Sequence, residues 1–228
     1  MQCLVLAGGM ATRLGSLTEA RPKALLEING RAFCDHQIEL LRENGVQEIV
    51  FCIGHLGHLI RAHLQAAPGV SFVDEGQELR GTGGALRQAY DLGVLQPQFL
   101  LIYGDSYLPI NYREVYQQGV ARSAEVLMTV CRNQGRWDKS NARVADGRVE
   151  HYSKTAADAG FQYIDYGLAM FQREVLRAIP PRVKYDLAQL YETLSLEKRL
   201  LAYEVQERFF EVGSLSGIRD FSEYLTAR

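Results

Sequence analysis

Leu6-Ala7-Gly8-Gly9-Met10-Ala11-Thr12-Arg13-Leu14-Gly15 follows directly on an apolar run at residues 3–7 that reads as a buried strand. Glycines at a strand end let backbone N–H groups approach an anion closely, because no Cβ intervenes. In open α/β sheets the ligand crevice lies beyond the carboxyl ends of the strands, where this loop falls. Arg13 adds a permanently charged fork that matches phosphate oxygens, and Arg21-Pro22-Lys23-Ala24-Leu25 brings a second cation beside a rigid proline. The loop fits neither GxGxxG nor GxxxxGK[ST], which disfavours a dinucleotide dehydrogenase and a P-loop ATPase.

Outward from this loop, strands alternate with helices. Helical patterns span 31–44, 56–65, a segment opening near Thr82, and 112–122; strands span 48–53, 70–73, 99–103 and 125–131. That alternation predicts βαβ units in an α/β fold, a three-layer Rossmann-like sheet that is mostly parallel. The second half changes character. Residues 142–144, 148–152 and 163–171 read as antiparallel strands with a turn at Asp146-Gly147. Helices at 185–197 and 217–226 flank a strand at 201–205. No Pro/Gly/Ser linker separates the halves, so a single domain over 1–228 is expected. Its first half, about 1–123, is expected to hold a nucleotide and its second, about 124–228, to shape a co-substrate site.

Composition narrows the function classes. With 25 basic and 27 acidic side chains, the net charge of −2 and the absence of like-charged blocks argue against a nucleic-acid or membrane surface. Cys3, Cys34, Cys52 and Cys131 show no CxxC pairing and read as buried reduced thiols. Cys52, His55, His58 and His63 do not read as a zinc set, because strand, turn and helix intervene between them; these histidines are expected to be structural or solvated. The N-terminus lacks signal-peptide features, and no apolar run approaches the ~18 residues of a membrane span. A cytoplasmic location is the default expectation.

Three further segments carry chemistry. Glu78-Leu79-Arg80-Gly81-Thr82-Gly83-Gly84-Ala85-Leu86 places glycines at a helix start, where a planar group can lie against backbone beside the Glu78 carboxylate; Thr82 also suits a helix cap. Phe99 to Tyr103 is a buried strand that delivers Gly104-Asp105 to the crevice, and magnesium favours such carboxylates together with substrate phosphates. Phe209-Phe210-Glu211-Val212-Gly213-Ser214 offers a second carboxylate from far along the chain.

In order and spacing, these segments resemble the sugar-1-phosphate nucleotidyltransferases, whose signature is GGxGTRL followed by Pro-Lys. The resemblance covers almost the whole chain and is closest in look to heptose or mannose 1-phosphate guanylyltransferases. It implies the nucleotide-diphospho-sugar transferase fold and transfer of a nucleotidyl group from a nucleoside triphosphate to a sugar 1-phosphate, best matched by GTP. Residues Leu6 to Thr12, Glu78, Thr82, Gly83 and Gly104 would bind nucleotide, and Arg13 and Lys23 would be catalytic. Asp105 and Glu211 would hold Mg2+, while Lys154, Asp165 and Gly167 would meet the sugar phosphate. A homodimer is the assembly left open. Ala11, Glu211, Ser153 and Thr155 depart from the family's usual Gly, Asp, Glu and Pro. Alternatives are cytidylyl or uridylyl transfer, molybdenum-cofactor guanylyltransfer, or a non-catalytic nucleotide-sugar sensor. No hexapeptide-repeat extension follows Glu211, so acetyltransferase activity is not expected.

Overall fold

A computed structural model describes residues 1–9, 20–76, 78–137, 139–155 and 160–228. In chain order its elements begin with β1 (Gln2–Leu6), a 3-10 turn (Lys23–Leu25), β2 (Glu27–Ile28), β3 (Arg31–Ala32), α1 (Phe33–Glu43), β4 (Glu48–Ile53) and α2 (Gly57–Leu64). Next come β5 (Val70–Asp74), α3 (Gly81–Asp91), β6 (Gln98–Tyr103), β7 (Ser106–Tyr107), α4 (Tyr112–Ala121) and β8 (Val126–Arg132). The remainder is β9 (Ala142–Ala145), β10 (Arg148–Tyr152), β11 (Tyr163–Gln172), a second 3-10 turn (Arg173–Ala178), α5 (Leu187–Leu196), β12 (Leu200–Val205), β13 (Phe210–Glu211) and α6 (Leu215–Ala227).

Nine strands form one sheet in the order β5-β4-β1-β6-β11-β8-β12-β10-β9. The expectation of a mostly parallel sheet needs correction. Strands β5, β4, β1 and β6 are parallel neighbours, as are β8 and β12, but β11 enters antiparallel between β6 and β8, and β10 is antiparallel to both its neighbours. The sheet is therefore mixed. The antiparallel strands join the main sheet itself, because β11 pairs along five residues with β6.

Successive residues of a strand point to opposite faces, and both faces here are apolar. Cys3 and Val5 join a core with α1, α2, α4 and α6 residues such as Phe33, Leu41, Ile60, Tyr112 and Phe221. Leu4 joins the other core, with Leu86 of α3 and Leu190, Tyr191 and Leu194 of α5. Burial on both faces explains why the central strands read as continuous apolar runs. Among the described residues, side chains cap three helices: Asn111 accepts from Glu114 N, Asp186 from Ala188 N, and Ser214 from Gly217 N. Two small ribbons, β2–β3 and β7–β13, were not foreseen; two-residue strands leave no periodicity to read. Among the described residues, no helix is long and apolar enough to cross a membrane.

Candidate active site

At the carboxyl ends of β1, β4 and β6 lies a cavity of about 250 Å³. Leu6, Ala7, Gly8 and Gly9 form one wall, Leu79, Gly81 and Thr82 another, and Tyr103, Gly104 and Asp105 the floor toward β6. A second cavity of about 500 Å³ opens beside it, lined by Asn141, Tyr152, Lys154, Asp165 and Glu211. The two cavities share Tyr103 and Asp105. Asp105 therefore stands where contents of the two would meet.

Local structure explains how the shared wall is held. Gly104 N–H donates to Leu6 O at 2.8 Å, and a Cβ on Gly104 would lie 2.9 Å from both the Ala7 Cβ and the Leu6 carbonyl oxygen. Only glycine lets the β6 end close onto the β1 end. Buried Gln37 of α1 donates its Nε2 to Tyr103 O at 2.9 Å and to Ser106 O at 2.7 Å, bracing the turn that presents Asp105. The β7–β13 ribbon then brings the distant carboxylate in. Glu211 pairs with Ser106, and Val212 N–H donates to Asp105 O at 2.9 Å.

Lys23 reaches the same place. Pro22 sits at φ −67° ahead of the 3-10 turn, its carbonyl accepting from Leu25 N–H, so the chain there is pre-set. Lys23 Nζ lies 2.8 Å from Asp105 Oδ2, with side chains 17% and 30% exposed. A Cβ on Gly213 would come within 3.7 Å of the same ammonium, so the segment after β13 also borders it.

The first cavity carries a carboxylate from Glu75, where the sequence pointed to Glu78. Glu78 is exposed and does not line the cavity, whereas Glu75 does. Burial pushes the Glu75 carboxyl up, partly countered by the Arg80 N–H, which donates to Oε1 at 3.1 Å. The other oxygen lies over Gly8, where a Cβ would meet it at 2.7 Å. Following Asp74 and preceding Gly76, Glu75 reads in sequence as a turn residue. Gly83 also sits differently from expectation. It lies outside the cavity lining, because its N–H donates to Tyr185 O at 2.9 Å and a Cβ would run into the Tyr185 ring at 2.7 Å. The glycines opening α3 thus serve close packing against 185–187.

In the second cavity Asp165 is partly buried, and burial pushes its carboxyl up to about 6 even though Gly167 N–H (3.0 Å to Oδ1) and Lys154 pull it down. Gly167 itself is buried at φ +103°, in the irregular stretch of β11, and acts on the cavity through that N–H. Asn141 fixes the strand, its Oδ1 accepting from Asp165 N at 2.9 Å. Lys154 Nζ lies 3.3 Å from Asp186 Oδ1, and Thr82 Oγ1 donates to that oxygen at 3.2 Å. Burial alone would raise the Asp186 carboxyl; Ala188 N–H, Lys154 and Thr82 outweigh it and hold it below the ordinary range. Asp186, missed in the sequence as one more residue of a predicted helix, ties the two cavities' walls together.

Of the expected site residues, Leu6, Ala7, Gly8, Gly9, Thr82, Gly104, Lys23 and Asp105 line the first cavity. Lys154, Asp165 and Glu211 line the second with Asp105. Met10, Ala11, Thr12 and Arg13 lie outside the described residues.

The chain is 23% identical over 220 residues to the mannose-1-phosphate guanylyltransferase catalytic subunit beta of Danio rerio, covering 93% of this chain and 61% of that one. The chain thus spans under two thirds of that relative's length. It is 23% identical over 229 residues to the glucose-1-phosphate cytidylyltransferase of Salmonella typhimurium, covering 90% of this chain and 88% of that one. The crystal structure of HddC from Yersinia pseudotuberculosis superposes with a TM-score of 0.80 at 22% identity, covering 98% of this chain and 99% of that one, a likeness of fold. The same protein is also known complexed with GMP-PN. Residues 3–208 match the MobA-like NTP transferase domain, and with the match running through nearly the whole sheet, the chain belongs to that family.

Proposed function

We propose that this chain transfers a nucleotidyl group from a nucleoside triphosphate to a sugar 1-phosphate, releasing pyrophosphate. The observation that carries the reading is the junction of two cavities at Asp105, with Lys23 on one side and Glu211 on the other. A phosphate oxygen of the sugar 1-phosphate attacks the α-phosphorus, and the bond from that phosphorus to the β-phosphate bridging oxygen breaks. The nucleophile is already an anion, so positioning and charge stabilisation replace a general base.

The first cavity takes the nucleotide. Its apolar wall of Leu6, Ala7, Leu79 and Ala85 suits a base and ribose, and Glu75 is the acceptor for guanine N1–H and its exocyclic amine. Lys23 neutralises the α-phosphate, and Arg13, assigned from sequence, the remainder of the triphosphate. In the second cavity Lys154, oriented by Asp186, holds the sugar phosphate, and Asp165 accepts from sugar hydroxyls. The donor set fits Mg2+, which prefers oxygen ligands and typically uses one or two carboxylates: Asp105 and Glu211 line one cavity, and Val212, next to Glu211, donates its N–H to Asp105 O. Bound there, the ion would offset charge on the transferring phosphates. We read residues 1–228 as one domain in two halves, supported by the sheet that runs through both.

The preferred substrates are GTP with heptose or mannose 1-phosphate, supported by Glu75 and by the guanylyltransferase among the relatives. Pyrophosphate release, measured with magnesium across GTP, CTP, UTP, ATP and dTTP against a panel of sugar 1-phosphates, tests the reading. Preference for CTP or UTP overturns the assignment of the base. No release with any pair overturns the function and favours a nucleotide-sugar sensor.

A further inference from the structure

Cys34 and Asp35 occupy the first turn of α1, and His63 the last turn of α2. His63 Nε2 lies 2.9 Å from Asp35 Oδ1 and 3.1 Å from Oδ2, while Cys34 Sγ is 3.9 Å from Asp35 Oδ1. One ligand atom from each residue falls within 4.8 Å of the other two. None of the three lines either cavity, so the nucleotidyl-transfer reading makes no use of them.

We propose that Cys34, Asp35 and His63 form a zinc-binding site that ties α1 to α2. Tetrahedral zinc, with bonds of about 2.0 Å to nitrogen or oxygen and about 2.3 Å to sulfur, sets its ligand atoms roughly 3–4 Å apart. The observed 2.9 and 3.9 Å separations lie close to that spacing, and Cys34 and His63 come within 4.8 Å of each other. The chemistry of the three donors selects the metal. A thiolate with an imidazole and one carboxylate suits Zn2+ and its spectroscopic substitute Co2+, and suits Mg2+ poorly. Cys34 is buried at the inner end, while the Asp35 and His63 side chains are 32% and 40% exposed, so the outer side admits a water as fourth ligand. On binding, the metal–sulfur bond forms as the Cys34 thiol proton passes to solvent; the proton that His63 Nε2 donates to Asp35 moves through solvent to Nδ1 as the neutral ring changes tautomer, and the hydrogen bond gives way to two metal bonds. An exposed His–Asp pair on its own contributes little to stability, so loss of that hydrogen bond is a small cost.

The test is a Co2+ titration of the full chain, stripped of metal by a chelator and supplied with excess Mg2+ to occupy the carboxylates of the active site. The expected result is a thiolate-to-cobalt charge-transfer band saturating at one ion per chain, and a higher melting temperature with Zn2+. Cys34→Ser removes the band. His63→Gln, a change at the surface that leaves the core intact, weakens binding at least about tenfold. Absence of a thiolate band overturns the proposal, and so does a His63→Gln variant that binds as tightly as the parent.

Discussion

Asp165→Asn separates what this residue costs the fold from what it gives the site. Burial lifts the Asp165 carboxyl from 3.8 to about 6. Folding therefore favours its protonated form. Between those two values the folded chain binds more protons than the unfolded one, so stability falls as pH rises through the window. Above it the full penalty is present: at about 1.4 kcal/mol per pH unit, about 3 kcal/mol. Asparagine carries no charge, and its side-chain oxygen still accepts from Gly167 N–H as the Asp165 Oδ1 does. The variant should be more stable than the parent at pH 8 by up to about 3 kcal/mol, and the two should converge below pH ~4. For a chain of this size that is up to about 6–12 °C in melting temperature. Urea denaturation across pH 4 to 8 measures it. Equal stabilities at pH 8, or a difference that does not change with pH, would refute the argument. The same variant should raise KM for the sugar 1-phosphate while leaving KM for the triphosphate near that of the parent.

Asp105→Ala should abolish pyrophosphate release with every triphosphate while far-ultraviolet circular dichroism stays native; unimpaired turnover refutes the metal assignment. Gly8→Ala drives a Cβ to 2.7 Å from Glu75 Oε2, and should raise KM for the triphosphate about tenfold, an effect of ~1.4 kcal/mol, checked by initial rates. Gln37→Leu leaves the Tyr103 and Ser106 carbonyls without the Gln37 donor, and should destabilise the chain by about 2–4 kcal/mol in denaturant titration and slow turnover by loosening the Asp105 turn. Glu75→Gln should narrow the preference for GTP over CTP and UTP, read as the ratio of kcat/KM values.

Legibility in the sequence followed the range of the interactions. The β6 strand and Asp105 beyond it were readable because a run buried on both faces ends abruptly in Gly-Asp, and strand ends in α/β sheets face the crevice. Helices α1 and α5 were readable to within a few residues from their apolar periodicity. Glu78 was the residue singled out because the resemblance covers the segment nearest the glycines, and Glu75 lies before that segment. The backbone between β5 and α3 turns so that the earlier carboxylate faces inward, with Arg80 N–H as its partner. Gln37 gave no signal, since a polar residue inside an amphipathic helix looks solvated until its two carbonyl partners arrive from 66 and 69 residues away. The antiparallel entry of β11 between β6 and β8 was equally hidden, because strand order is a property of tertiary pairing and not of local pattern. Cys34 and His63 show the same limit. Neither spacing nor periodicity joins them, and only the packing of α1 beside α2 does.

The Lys23–Asp105 pair explains how such a site can be stable and still be ready for phosphates. Each charge is partly withdrawn from water, and removing one partner would leave the other unpaired there. With side chains only 17% and 30% exposed, the two ions therefore stabilise each other across the 2.8 Å contact. Under the proposed function, a triphosphate arriving with its cation brings one opposite charge for each. Lys23 exchanges a carboxylate for an α-phosphate, and Asp105 exchanges an ammonium for a metal ion, so neither side chain passes through a partly buried, unpaired state. A phosphate without the cation offers Lys23 a partner and leaves Asp105 beside added negative charge. Triphosphate binding should consequently weaken far more on magnesium removal in the parent than in Asp105→Asn, which carries no charge to strand. Calorimetric titration with and without a chelator measures both losses, and equal losses would refute the exchange.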